Sequence, residues 1–113
     1  MKVKPPISWS DFEKLDIRVG TVVDAIPFAK AKKPAYKVYV DFGDLGVKQS
    51  SAQITELYST EELIGNQILA VVNFPPKQIA DFMSECLILG LYTADGVVLL
   101  SPERRVKDGA YVG

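Results

Sequence analysis

The sequence predicts an all-β domain, a small antiparallel barrel or sandwich, and three observations carry that prediction. Apolar and polar residues alternate along Ile17–Asp24 and again along Tyr36–Phe42, the period of a strand with one buried face. Turn-forming residues cut the apolar stretches short at Gly43-Asp44-Leu45-Gly46, Pro75-Pro76 and Asp95-Gly96. Helix-start signatures occur only at Ser10 and Ser59, each ahead of a stretch fit for a turn or two. Five or so short strands in 113 residues suit a five-stranded OB-fold barrel best, and an SH3-like barrel fits the same periodicity. A single domain over 1–113 is expected, with 1–11 as N-terminal arm and helix start.

The elements follow in order. Pro5-Pro6 stiffens an extended arm, and Ser10-Asp11-Phe12-Glu13 reads as a capping box opening a short helix over Ser10–Lys14. Ile17–Asp24 is the first strand, with Gly20 as a bulge or bend. Tyr36, Val38, Val40 and Phe42 form one face of the second, and Val47–Gln53 returns as an antiparallel third. Ser59-Thr60-Glu61-Glu62 repeats the capping signature for a short helix that Gly65-Asn66 stops. Gln67–Phe74 is a central strand covered on both faces, and Lys77–Met83 a connector after two prolines. Cys86–Thr93 is a further buried strand, with Val97–Leu100 pairing back across Asp95-Gly96. Ser101–Gly113 is a C-terminal extension with a turn at Asp108-Gly109.

Composition excludes several kinds of chemistry. With no histidine there is neither a Ser-His-Asp triad, nor a Cys-His pair, nor an ordinary zinc site. The carboxylates are scattered, no Gly-rich phosphate cradle occurs, and no calcium-loop run is present. No catalytic residue, metal or cofactor is expected. The single cysteine, Cys86, sits in an apolar run that suits a reducing cytoplasm. No apolar run approaches the ~20 residues of a membrane span, and Met1–Pro6 leads into no signal-peptide core, so no membrane insertion is expected. A net charge of −1 leaves nucleic-acid binding to a local patch.

Four clusters stand out. Lys30-Ala31-Lys32-Lys33-Pro34-Ala35-Tyr36-Lys37 puts four lysines and no acid between the first two strands. Such lysines displace counterions from phosphates, with Tyr36 or Tyr39 to stack a base; a solvated loop guarding an edge strand has the same composition. Asn73-Phe74-Pro75-Pro76-Lys77-Gln78, with Ser84-Glu85 nearby, is either a strand end or a rigid polar ledge for a ligand. Lys48–Gln53 is a weakly packed edge or a polar surface for backbone and ribose contacts. Ile7, Trp9, Phe12, Phe28, Phe74, Phe82 and Met83 exceed what so small a core holds. Some of them remain for a subunit interface, a twofold dimer being the commonest oligomer, or for flexible apolar partners.

Several of these stretches together carry a family resemblance. Phe12-Glu13-Lys14-Leu15-Asp16-Ile17-Arg18-Val19-Gly20-Thr21-Val22 resembles the opening motif of the tRNA-binding OB domain family. Lys33–Lys37, Asp41-Phe42-Gly43, Ser50–Ile54, Gly65, Val72–Ala80 and Ser84–Gly90 follow in the family's order. The combination most resembles the CsaA-type members, export chaperones, over about Phe12 to Val112.

That resemblance implies an OB-fold and a homodimer in which the N-terminal helix and the C-terminal segment take part, giving Trp9 and Phe12 a place at the dimer interface. It implies unfolded or precursor polypeptides as partners, with Phe28, Phe74, Ile79, Phe82 and Met83 as the peptide-binding candidates. Matches to the tRNA-binding motifs fall on Lys33, Lys37, Gln53, Asn73, Lys77, Ser84 and Glu85, which implies tRNA as a second class of partner. A third reading is an assembly module that docks a larger partner, such as the export machinery or a synthetase. Where tRNA-binding relatives carry a basic, Gly-containing segment, this chain has Ile79-Ala80-Asp81-Phe82-Met83, which is acidic and apolar and suits a peptide better than a phosphate.

Overall fold

The computed structural model describes residues 2–113; Met1, the first residue of the expected arm, lies outside the described residues. The first helix, α1 (Trp9–Glu13), is capped two residues earlier than the sequence signature predicts. Ser8 is the cap: its hydroxyl accepts from the Asp11 amide at 3.1 Å, and the Asp11 carboxylate accepts from the Ser8 amide at 3.2 Å. Ser10 lies inside the turn and hydrogen-bonds the Ser8 hydroxyl instead.

Strand β1 (Ile17–Pro27) is shared by two ladders. Its second half pairs antiparallel with β2 (Tyr36–Asp41), Thr21 opposite Asp41 and Pro27 opposite Tyr36. A short 3₁₀ turn, Gly43–Leu45, returns the chain into β3 (Val47–Ala52), which pairs with β2. A four-residue helix α2 (Thr60–Leu63), opened by the expected Ser59–Glu62 capping box, leads to β4 (Gln67–Val71). The first half of β1 pairs with β4, Ile17 opposite Val71 and Thr21 opposite Gln67. A strand that serves different neighbours in its two halves must turn sharply, which is how a small sheet closes into a barrel.

The bulge expected at Gly20 falls between Val22 and Asp24. Gly20 has a different task. A Cβ there would come within 2.5 Å of Val40 Cγ1 and 2.7 Å of Phe42 Cδ1, so the glycine lets β1 pass close over the core.

After β4 the structure departs from expectation in two places. The expected connector Lys77–Met83 is a hairpin, β5 (Lys77–Ile79) with β6 (Phe82–Ser84). Its turn carries Ala80 at φ 53 rather than a glycine, so the sequence lacks the usual turn signal. The expected single strand Cys86–Thr93 breaks after β7 (Leu87–Ile88), and β8 (Gly90–Thr93) leaves the barrel to pair with β9 (Gly96–Leu99). Gly90, just past the break, leaves no room for a Cβ against Val97, and Tyr92 ends 95% exposed rather than buried.

The main sheet runs β3-β2-β1-β4-β7. The Glu85 amide donating to Gln49 O at 2.8 Å and the Ser50 hydroxyl donating to Cys86 O at 2.9 Å draw its two ends together into a nearly closed five-stranded barrel. Val22, Val38, Val40, Phe42, Leu63 and Ile68 fill it, with Leu63 of α2 plugging one end. The C-terminal extension is fastened to the free edge of β1's first half. Backbone bonds join Gly109 to Val19, Val19 to Ala110 and Val112 to Ile17 at 2.8–2.9 Å, and the Asp108 carboxylate receives Thr21 Oγ1 at 2.6 Å and Gln67 Nε2 at 3.0 Å. Among the described residues, no helix is long and apolar enough to cross a membrane.

Candidate binding groove

The hairpin β5–β6 does not join the barrel sheet. It rests on a second, smaller apolar cluster in which Phe28, Ala35 and Phe82 are buried and Ala31, Tyr39 and Ile79 pack around them. The rings of Phe28 and Phe82 meet edge to face at 5.4 Å, and Tyr39 meets Phe82 at 6.4 Å. Lys37 Nζ lies 4.9 Å above the Phe28 ring and 5.3 Å above that of Phe82, a cation over two negative ring faces. At the hairpin tip Asp81 pairs with Lys30 at 2.9 Å, which holds the Asp81 carboxyl below and the Lys30 ammonium above their ordinary ranges. The pair is solvated and adds little stability.

Between this hairpin, the lysine loop and the start of β7 lies a groove of about 990 Å³. Its basic rim is Lys30, Lys32, Lys33 and Lys77, and its apolar wall includes Phe74, Ile79, Leu87 and Tyr92. Ser84 and Glu85 sit at one side with their polar groups engaged. Ser84 Oγ accepts from the Ser51 amide and Glu85 Oε1 from the Gln49 amide, both at 3.1 Å.

Of the residues singled out for tRNA, five line this groove: Lys33, Gln53, Lys77, Ser84 and Glu85. Asn73 and Lys37 do not. Asn73 ties the end of α1 to β1, its Nδ2 donating to Lys14 O at 2.7 Å and its Oδ1 accepting from the Asp16 amide at 2.9 Å. Lys37 covers the aromatic pair. Of the peptide-binding candidates, Phe74 and Ile79 line the groove, and Phe74 is 48% exposed. Met83 is exposed but pairs with Gln78, so it projects from the other face of the hairpin. Phe28 and Phe82 are only 4% and 5% exposed and support the groove from beneath. Leu87 and Tyr92 escaped the sequence reading because Cys86–Thr93 reads as one buried run; Gly90 inside it was the available signal.

Trp9 and Phe12 line a separate cavity of about 810 Å³, where α1 meets Tyr111 and Val112 of the C-terminal extension. Trp9 is 85% exposed there. Cys86 is buried, and burial pushes its thiol up to about 11, leaving no thiolate for chemistry near neutrality. No group of three or more potential metal-ligating side chains occurs among the described residues.

A five-stranded barrel with this topology, a short helix between the third and fourth strands and a loop-lined groove at its side is an OB-type barrel. The chain belongs to the tRNA-binding domain family: the family model described as "Putative tRNA binding domain" matches residues 17–111. Among solved structures, the CsaA chaperone protein of Picrophilus torridus superposes with a TM-score of 0.92 at 52% identity, covering 96% of this chain and all of that one. The chaperone CsaA of Bacillus anthracis does so with a TM-score of 0.91 at 50% identity, with the same coverage. The methionine--tRNA ligase of Methanococcoides burtonii is 36% identical over 110 residues, which are 96% of this chain and only 16% of the ligase.

Proposed function

We propose that this chain is a non-catalytic binding module that holds unfolded or precursor polypeptides, working as a homodimer in the manner of an export chaperone in the cytoplasm. The observation that carries this reading is the groove's mixed lining. Exposed Phe74 stands with Ile79, Leu87 and Tyr92 beneath a lysine rim, and apolar surface left open on a small domain marks a place for apolar partners. The likeness to two CsaA chaperones adds support. For the dimer, support comes from Ile7, Trp9 and Tyr111, large side chains left exposed at or near one cavity.

The test is a titration with a labelled unfolded polypeptide. Phe74→Ser with Ile79→Ser should weaken capture by about tenfold or more, ~1.4 kcal/mol, without altering the sedimentation of the dimer. Normal capture by that variant would remove the groove from the account.

A second reading, tRNA binding, has its own observation: Lys32, Lys33 and Lys77 converge on the groove that exposed Tyr92 also lines, in a chain of the tRNA-binding domain family. Phosphate contacts release counterions, so tRNA affinity should then fall steeply with salt and vanish in Lys33→Glu with Lys77→Glu. A flat salt response excludes it.

A further inference from the structure

The hairpin β5–β6 offers the groove more than side chains. Its two-residue turn, Ala80-Asp81, makes Ile79 and Phe82 the pair that exchanges backbone hydrogen bonds next to the turn. Antiparallel pairs alternate, so Gln78 and Met83 form the next, non-hydrogen-bonded pair, with their N–H and C=O groups directed away from each other. One contact bears this out: the Met83 carbonyl accepts from Gln49 Nε2 at 2.8 Å, on the side of β3. The Gln78 N–H and C=O must therefore point the opposite way. β5 pairs with β6 alone, and no other described segment bonds to that edge. Pro76, just before β5, has no N–H to extend it. The open edge thus offers one donor and one acceptor from a single residue.

A strand laid along this edge would send alternate side chains to the two faces of the hairpin. One set shares the face of Lys77 and Ile79, which is the groove face. The charges there are unequal. Lys32, Lys33 and Lys77 line the groove without an acidic partner, Lys30 is paired with Asp81, and the one lining acid, Glu85, bonds the Gln49 amide. We infer that the groove takes an extended polypeptide segment as an added strand on Gln78, with an apolar side chain beside Ile79 and Phe74 and an acidic one, two positions along, beside Lys77 and Lys33. This deepens the polypeptide reading above and rests on it. Backbone bonds of this kind give affinity that tolerates varied sequence, and alternate side-chain pockets give the selectivity.

The experiment uses the full chain and a short fluorescent peptide in which leucine and glutamate alternate on one side of the strand with serine between. Two further peptides carry N-methyl groups on one or the other alternating set of amides, and a fourth has lysine in place of glutamate. Fluorescence anisotropy should show the parent bound, one methylated set weakened by about tenfold or more, the other set unchanged, and the lysine peptide weakened as strongly. Gln78→Pro, which removes the outward N–H, should match the weakened methylated peptide; if it unfolds the hairpin by hydrogen exchange, the methylated peptides decide alone. Equal behaviour of the two methylated sets would overturn strand addition and leave groove capture standing. Equal binding of the lysine peptide would overturn the acidic requirement. Capture of a long unfolded polypeptide without any of these peptides would overturn the segment class. Binding of tRNA alone would overturn the polypeptide reading with it.

Discussion

Phe42 and Phe82 are both buried phenylalanines, yet they belong to clusters of different construction. Phe42 sits inside the barrel among Val22, Val40 and Ile68, enclosed by ladders that join distant parts of the chain. Phe82 sits under a hairpin of two three-residue strands, held by Phe28, Tyr39, the Lys37 ammonium and two alanines. The first cluster is the fold; the second shapes the groove. Separating them lets the binding wall vary or loosen without loss of the barrel, since parts of a protein with few apolar contacts open at lower free energy than the core.

The strongest way to break this comparison is a pair of matched truncations. Phe42→Ala should cost about 3–5 kcal/mol and lower the urea midpoint of the whole molecule. Phe82→Ala should instead strip hydrogen-exchange protection from 77–84 while the β1 and β4 amides keep theirs. A single cooperative loss in both variants would make the clusters one unit.

Cys86 belongs to the barrel cluster and also lines the groove, so its thiol reports on whether that boundary stays dry. Burial raises its pKa from 9.0 to about 11. The unfolded thiol therefore ionises first: stability is intact below about pH 9 and is lost as pH rises toward 11, by up to about 3 kcal/mol. Cys86→Ala should lack that part of the alkaline slope in urea melts.

Two smaller effects sharpen the contrast on the hairpin side. Lys37→Met keeps the stem and removes the charge above two rings, and should cost the hairpin about 1 kcal/mol of exchange protection. A cost confined to tRNA affinity would instead mark Lys37 as a phosphate contact. Ala80, at φ 53, occupies a turn position that favours glycine. Ala80→Gly should slow exchange in 77–84 by the equivalent of up to about 1 kcal/mol, with the barrel unchanged.

The barrel was legible because its first two strands carry a period of two and its turns use glycine and proline. Val38, Val40 and Phe42 alternate with Lys37, Tyr39 and Asp41, and all three are buried. The hairpin was not legible, because Ala80-Asp81 is no conventional turn signal and Pro75-Pro76 reads as a break rather than an entry. The lysine loop and the residues about Lys77 stood out as two separate clusters. Their separation in sequence, however, hid the fact that Phe28 and Phe82 join beneath them. Asn73 misled for a related reason: a polar side chain beside a proline ledge looks free to bind, whereas here it caps two backbone groups of the α1–β1 connection.

The fastening of the C-terminal extension has a kinetic consequence. The Arg18 guanidinium donates to the Gly109 carbonyl across 91 residues and stacks on Tyr111, and the edge of β1 beside it is completed only by residues 109–112. The first half of β1 completes this edge only when residues 109–112, about 90 positions further along the chain, reach it. Until they do, the backbone groups of Ile17 and Val19 on that edge have no partner there. Closure over such separations is slow, so a chain whose proposed work is to hold other unfinished polypeptides passes through its own interval as one.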